Sequence, residues 1–158
     1  MEDKVRSFVE AVSIADVFLK DSKTNCHVLP RTLDSSSLEL NFNFDFKFEA
    51  IKDASVLLTF LQLNVEALNN KSESIDFEIS STYVVVYDYS NYGEEPEDDL
   101  LEEFTRTTAL FNAYPFLREC VTSLSVRMGI PPVIAPLLKF GKTKSKKKTT
   151  TTKKKNVK

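Results

Sequence analysis

The sequence is poor in the residues that most catalytic and metal sites require. Its 158 residues include one histidine, two cysteines and three glycines, and no tryptophan. His27 beside Cys26 gives too few ligands for a transition-metal site, and adjacent residues of an extended chain point apart, which disfavours a Cys–His catalytic pair. Three scattered glycines exclude a glycine-rich phosphate-binding loop. We therefore expect no enzyme, no cofactor and no metal.

The cysteines and the apolar segments limit where the protein works. Cys26 and Cys120 are far apart and have no CxxC spacing, which is typical of structural thiols in a reducing compartment. No run approaches the roughly 18 apolar residues of a membrane span. The first residues, MEDKVRSFVEAV, lack the continuous apolar core of a secretory signal. These features predict a soluble, cytoplasmic protein.

Charge is divided unevenly along the chain. Nine lysines and no acids lie between Lys142 and Lys158. The preceding residues carry 12 basic and 23 acidic side chains, a net charge of −11. Because a Lys/Thr-rich, low-complexity segment cannot bury a core, we expect residues 142–158 to be a disordered tail and residues 1–141 to form one domain. A tail of this charge is suited to contact an acidic partner or its own acidic body.

Alternation of apolar and polar residues predicts that most of the first part of that domain consists of β-strands. The clearest run, in which apolar residues occupy every second position, is Leu38, Leu40, Phe42, Phe44, Phe46 and Phe48. It is typical of a strand with one apolar face. Residues 55–68 and 75–89 show the same period, the latter with Ile75 and Phe77 on one face. Residues 13–24 form a further strand after a short N-terminal helix, and residues 26–37 have the composition of a loop.

After Tyr89 the period becomes helical. Pro96 and the acidic residues 97–99 mark a helix start, followed by an apolar stripe that includes Leu100, Phe104, Thr107, Thr108 and Phe111. Pro115 is expected to break or kink this helix near Ala113. A second stripe begins at Leu117, continues through Cys120, Val121, Leu124 and Met128, and ends at Gly129 as a C-cap. The predicted class is α+β, a sheet with helices on one face.

The strand aromatics have two interpretations. Alternating Phe and Tyr residues ordinarily form core beneath helices. Two helices, however, cover only part of three or four long strands. The remaining apolar surface would be an oligomer interface or a binding site for a partner.

The segment Phe111 to Phe140, FNAYPFLRECVTSLSVRMGIPPVIAPLLKF, resembles the signature of the SecB family of export chaperones. The residues that carry the resemblance are Tyr114-Pro115, Arg118-Glu119, Gly129, Pro131, Ala135-Pro136 and Phe140. Upstream, DVFLKDSKTN is similar to the first strand of the family. Two departures are Lys139, where the family has asparagine, and the basic tail from Lys142, which stands in place of a long C-terminal helix.

The resemblance implies a four-stranded antiparallel sheet with helices on one face, and homo-oligomers that are dimers or dimers of dimers. It also implies an ATP-independent molecular chaperone, a holdase that binds unfolded polypeptides. The client would be a preprotein for export through the Sec pathway, or an antitoxin in a toxin–antitoxin–chaperone system.

Under this resemblance we expect client contacts from apolar residues of the strands and helices, namely Phe42, Phe44, Phe46, Leu58, Phe60, Tyr83, Phe116 and Leu117. Each of them is also a candidate for core or oligomer interface. By position, Asp21 and Glu78 would contact the SecA motor, whereas another acidic position of the family falls at Asn25.

Two other functions stay open at this point. Nine lysines would neutralise several phosphates and bind nucleic acid in a salt-dependent, sequence-blind manner. The acidic body, and a tail without arginines or interleaved aromatics, disfavour such a partner. The remaining alternative is a structural oligomer without clients.

Overall fold

The computed structural model describes residues 2–138, so the predicted tail lies outside the described residues. One antiparallel sheet has the order β1-β4-β3-β2, with β1 at Ser13–Cys26, β2 at Leu38–Ile51, β3 at Val56–Asn69 and β4 at Ser74–Asp88. Helix α1 (Glu2–Ala11) precedes the sheet. Helix α2 (Asp98–Phe104), a π-helical turn (Thr105–Ala109) and helix α3 (Leu110–Arg127) follow it. The predicted fold class is confirmed.

The helices pack on one face of the sheet, the inner face, and the opposite face is the outer face. Helix α3 lies chiefly across β4. The core between the helices and the sheet consists of alternate residues of the strands and of the buried side chains of the helices. Its members include Leu57, Leu61, Leu63, Val65, Tyr87, Leu100, Phe104, Leu117 and Val121. Full burial of each such side chain contributes about 1.5–3 kcal/mol. Apolar burial therefore fixes α3 over the centre of the sheet and leaves both edge strands less covered.

A β-bulge at Asp76 changes the face of one strand residue. Ala67 pairs with Phe77 and Leu68 pairs with Ile75, so Asp76 is the extra residue. Asp76 is buried, and its carboxylate accepts a hydrogen bond from Asn69 Nδ2 at 3.0 Å. Because the bulge shifts the alternation by one position, Ile75 lies on the outer face. The prediction that Ile75 shares a face with Phe77 is wrong.

The sequence predicts that the helix breaks or kinks at Pro115, near Ala113. The structure shows no break there, because α3 runs through Pro115 to Arg127. The π-helical turn lies just upstream, and its wider turn shifts which later positions face the sheet. Ala109, Ala113 and Tyr114 are consequently buried, whereas Phe111 is 61% exposed. The predicted stripe is therefore wrong at Phe111.

The end of α3 follows the prediction. Gly129 has φ of 75° and its N–H donates to the carbonyl of Val126 at 3.0 Å, as in a helix ended by a left-handed residue. The next segment turns back along α3, where the Val133 N–H donates to Ser125 Oγ at 2.9 Å. Among the described helices, none is long and apolar enough to cross a membrane.

Candidate functional site

A row of apolar side chains lies open along the inner face of edge strand β2. This row, the β2 strip, consists of Leu40, Phe42, Phe44 and Phe46. Leu40 and Phe46 are 37% and 38% exposed, and Phe42 and Phe44 are half-buried. The Phe44 ring lies 5.8 Å from that of Tyr114, and the Arg106 guanidinium lies 5.4 Å from the centre of the Phe46 ring. The helices thus touch one side of the strip and leave the other side accessible.

An apolar pocket of about 160 Å³ lies at the Leu40 end of the β2 strip. Its walls come from the loop after β1, from β2 and β4, and from the segment after α3, with Leu33, Leu38, Leu40, Phe77, Pro131 and Val133 among the lining residues. An apolar cavity of about 150 Å³ accommodates a benzene ring. The pocket therefore fits one aromatic or branched aliphatic side chain.

The loop that forms one wall of this pocket, residues 27–37, is held by Asp34. The Asp34 carboxylate pairs with Lys71 Nζ at 2.7 Å, and it accepts hydrogen bonds from Ser36 N–H at 3.1 Å and Ser36 Oγ at 2.6 Å. The bond from Lys71, and then those from Ser36, hold the pKa of Asp34 well below its usual range. The loop is thereby tied to the turn between β3 and β4.

A second row of apolar side chains lies on the other side of α3. This row, the β1 strip, consists of Ile14, Leu19, Tyr83 and Phe116, with the rings of Tyr83 and Phe116 5.8 Å apart. Ile14, Leu19 and Phe116 are all more than 40% exposed. Burial raises the pKa of Tyr83, so its hydroxyl is neutral at physiological pH and the strip is uncharged.

The structure distributes the predicted client residues over several places. Phe42, Phe44 and Phe46 form the β2 strip, and Tyr83 and Phe116 belong to the β1 strip. Leu58 and Phe60 lie at even positions of β3, whose odd positions face the helices, so both are on the outer face. They are separate from the other predicted contacts.

Leu117 is 0% exposed and lies in the core between α3 and the sheet. It has no surface for a client, so its place among the predicted contacts is corrected to a core residue. It belongs to the same helical stripe as Val121, which is also fully buried.

Three residues of the β2 and β1 strips, Leu40, Ile14 and Leu19, were not among the client contacts predicted from the sequence. Leu40 was recognisable, because it belongs to the same alternating run as Phe42. Ile14 and Leu19 share the inner face only because a bulge in β1 interrupts the alternation between Ile14 and Asp16. No simple pattern in the sequence indicates that bulge.

Asp21 and Glu78 both lie on the outer face, on β1 and β4. Glu78 Oε2 lies 3.1 Å from His27 Nε2 and accepts a hydrogen bond from Asn25 Nδ2 at 3.3 Å. These hydrogen bonds, led by that from His27, lower the pKa of Glu78. Glu78 is therefore engaged within the chain, whereas the exposed Asp21 has its carboxylate toward solvent. Within residues 2–138, no three His, Cys, Asp or Glu side chains are grouped as they would be to hold a metal ion.

Strand β1 has a free edge. It pairs with β4 on one side and with no other strand of the described chain, and all but two of its 14 residues are exposed. Apolar side chains flank the edge on both faces, with Leu19 on the inner face and Phe18, 44% exposed, on the outer face. Unpaired backbone groups with apolar flanks favour pairing with another strand.

The fold is similar to that of a solved chaperone. The Mycobacterium tuberculosis Rv1957 SecB-like chaperone, in complex with a ChAD peptide from the Rv1956 HigA1 antitoxin, matches with a TM-score of 0.77 and 19% sequence identity, covering 87% of this chain and 97% of that chain. The predicted SecB-like fold is confirmed.

A Streptococcus agalactiae protein of unknown function matches at a TM-score of 0.41 and 13% identity, covering 80% of this chain and 97% of that one, which is too distant to bear on the fold. No protein-family model matches the sequence, and no curated protein matches it.

Proposed function

We propose that this chain is an ATP-independent chaperone, a holdase whose clients bind as unfolded segments along the β2 strip. The observation that carries the proposal is the strip itself. It holds four apolar side chains in one row on an edge strand, beside a pocket of about 160 Å³. The SecB-like fold supports the same role.

The chemistry of the strip suits clients of unrelated sequence. Apolar burial is non-directional and scales with the area removed from water. Full burial of a large apolar side chain contributes about 1.5–3 kcal/mol, so a few such contacts offset the cost of association and give a complex that still dissociates. The free edge of β2 adds backbone groups with which an extended client pairs regardless of its side chains.

Two kinds of client are compatible with a SecB-like fold. The similar M. tuberculosis chaperone was solved with an antitoxin peptide, which favours an antitoxin segment. The alternative is a preprotein on its way to Sec export, in which case Asp21 and Glu78 would contact SecA. Because Glu78 is already paired with His27, Asp21 would provide more of that contact. D21K should then abolish SecA binding and leave client capture unchanged.

We also propose that copies of the chain assemble through β1. Antiparallel pairing of two β1 edges joins two four-stranded sheets into one of eight strands and satisfies the free backbone groups. It also covers Ile14, Phe18 and Leu19, which are exposed in the single chain.

The test of client binding is suppression of aggregation without ATP, followed by light scattering as a denatured client is diluted into buffer. We expect suppression near stoichiometric ratios by the full chain. The double variant Leu40→Ser/Phe46→Ser should require severalfold more protein, since both changes fall on the β2 strip.

The control is Val126→Ser, which removes a more accessible apolar group, 55% exposed, from α3, and this variant should act like the full chain. Equal suppression by the double variant would reject the β2 strip as the client site. Absence of suppression by the full chain would reject the holdase itself.

A further inference from the structure

One end of the molecule carries acidic side chains that the proposed client site does not use. They lie on the turn between β2 and β3 and on the segment from β4 into α2, and they line two adjoining pockets that share Lys52 and Glu95. This acidic end consists of Asp53, Glu94, Glu95, Glu97, Asp98 and Asp99, all exposed. Lys52 pairs with Glu95, and Lys4 pairs with Glu97 at 3.0 Å. Within residues 2–138 the other four acids form no salt bridge, so the acidic end keeps a negative charge.

A pocket of about 480 Å³ in the acidic end contains a hydroxyl without a partner. Lys52, Asp53, Tyr89, Glu94 and Glu95 are among the residues that line it. Tyr89 is 5% exposed, and its hydroxyl is buried and has no hydrogen-bond partner in the described part of the chain. The charges of Lys52 and Glu95 both act on the pKa of this hydroxyl, which places it beside their pair. Because a buried hydroxyl left unpaired is costly, the pocket is incomplete without a polar group from outside.

The pocket suits a primary ammonium group. Its charged lining is three acids against the single cation Lys52, so it attracts positive charge. An ammonium group has three N–H donors, and the carboxylates of Asp53 and Glu94 and the hydroxyl oxygen of Tyr89 are acceptors. At the rim, Gly93 has φ of 81° and no atom lies within 4 Å of the position of a Cβ. The entrance is therefore open to a long, unbranched side chain such as lysine.

The chain carries its own supply of such groups. Nine lysines and no acids lie between Lys142 and Lys158. Single exposed ion pairs are weak, so a separate basic peptide would occupy the acidic end poorly. A tethered segment has an effective concentration on the order of millimolar, at which several weak pairs suffice. Charge and tether together favour the tail over another basic partner.

The tail is long enough to reach the acidic end. Near the last described residues, the Pro136 carbonyl accepts a hydrogen bond from the Tyr114 hydroxyl, and the Tyr114 ring lies 5.8 Å from that of Phe44. From Phe44 to Ile51, next to the acidic end, β2 rises by about 24 Å, at about 3.4 Å per residue. The 22 residues that follow Pro136 span up to about 70 Å when extended.

We propose that lysines of residues 142–158 bind the acidic end of their own chain, with one ammonium group in the pocket beside Tyr89 and others on the acids from Glu97 to Asp99. The contact is electrostatic, so it weakens as screening shortens from about 8 Å at physiological ionic strength to about 3 Å near 1 M salt. Phe46, the residue of the β2 strip nearest the acidic end, lies about 20 Å before Lys52 along the strand. The tail therefore leaves the client site uncovered.

The test is NMR of the full chain with a spin label in the tail. Cys26→Ser/Thr151→Cys directs the label to position 151, since Cys26 is the exposed native thiol and Cys120 is buried. We expect the amide signals of residues 93–99 to broaden at low salt and to recover near about 1 M. Those around Glu66, at the opposite end of β3, should stay sharp. Absence of broadening at residues 93–99 would overturn the proposal.

Variants of the labelled chain locate the contact. Glu94→Lys/Asp98→Lys reverses two charges of the acidic end and should reduce the broadening severalfold. Asp21→Lys/Glu39→Lys is the matched control, with the same change of charge at two exposed acids of the outer face, and should keep the broadening. Tyr89→Phe removes only the hydroxyl and should also reduce it. Unchanged broadening in Glu94→Lys/Asp98→Lys or in Tyr89→Phe would overturn the proposal.

A mixed sample separates binding within one chain from binding between copies. Isotope-labelled chain without a spin label is mixed with spin-labelled chain at natural isotope abundance, and the signals of residues 93–99 should stay sharp. Broadening in the mixture would assign the tail to a second copy and reject binding within the chain. Leu40→Ser/Phe46→Ser should keep the broadening of the labelled full chain, so this proposal and that of client binding fail independently.

Discussion

At the scale of single residues, burial decides which aromatic and aliphatic side chains support the fold and which are available to a partner. Leu117 and Phe46 both came from apolar patterns, yet Leu117 is 0% exposed and Phe46 is 38% exposed. A periodic pattern identifies the apolar face of an element, but not which part of that face another element covers. The β2 strip was therefore predictable as a face, whereas the division between core and accessible surface required the position of α3.

The core role of Leu117 gives a stability prediction. Leu117→Ala should lower the free energy of unfolding by about 2–5 kcal/mol, because it removes buried methyl groups and leaves a cavity. Urea unfolding followed by circular dichroism measures the change. Val126→Ala, on the exposed side of the same helix, should change it by less than about 0.5 kcal/mol. A loss below about 1 kcal/mol for Leu117→Ala would contradict the core assignment.

Tyr87 predicts sensitivity to alkaline pH. It is buried beneath α3, its hydroxyl accepts a hydrogen bond from Asn112 Nδ2 at 2.9 Å, and burial raises its pKa to about 12. An unfolded tyrosine titrates near about pH 10. The folded state therefore holds this proton more tightly, so the contribution is complete below about pH 10 and is lost as pH rises towards about 12, by about 2–3 kcal/mol in all.

To isolate this effect, the urea midpoints of Tyr87→Phe and of wild type are measured at pH 8 and near pH 11. The variant should lose less stability over this interval. It should still lose some, since burial also raises the pKa of Tyr114 and Tyr89. Equal losses in the two proteins would show that Tyr87 does not titrate as described.

At the scale of elements, regular periodicity was predictable and local irregularities were not. The four strands and the C-cap at Gly129 follow from alternation and turn residues. The bulge at Asp76 and the π-helical turn at Thr105–Ala109 each insert one residue into a regular pattern and depend on tertiary contacts. Those insertions account for the misplaced faces of Ile75 and Phe111.

The loop over the apolar pocket provides a prediction at this scale. Asp34→Ala removes the pair with Lys71 and the hydrogen bonds from Ser36, so residues 27–37 should open more often. Hydrogen exchange of the loop amides should accelerate while that of the β3 amides stays unchanged. Because the pKa of Asp34 is lowered, wild type should show the same acceleration only as pH falls below the usual range of aspartate. Unchanged loop exchange in Asp34→Ala would contradict this role.

At the scale of the whole molecule, the resemblance at Phe111–Phe140 predicted the fold that the alternation alone left incomplete. The order β1-β4-β3-β2 places the first strand beside the last, a long-range pairing that no local pattern specifies. The grouping of Leu58 and Phe60 with Phe18 and Val84 on the outer face also escapes sequence analysis, because these residues come from three strands whose register must be known first.

The lysine tail gives the prediction for the whole chain. A chain that ends at Gly141 loses nine lysines, which changes its net charge from −2 to −11. We expect it to suppress aggregation of an apolar client within about twofold of the full chain, since burial at the β2 strip does not involve the tail. Binding to nucleic acid, if the full chain shows any, should disappear with the tail and weaken steeply with salt. Loss of suppression on truncation would place the client site in the tail.

Under the proposed assembly, the two bulges of β1, at Ala15 and Lys20, suit its edge to pairing with a second β1 rather than with a client strand. Each bulge interrupts the even spacing of backbone donors and acceptors, so a regular client strand pairs with only a short part of the edge. A second β1, aligned antiparallel with Ala15 opposite Lys20, has its own irregularities at the same places and stays matched through residues 13–22. The regular edge of β2 makes no such distinction. Under the two proposals, one edge of the sheet therefore serves a second copy of the chain and the opposite edge serves clients.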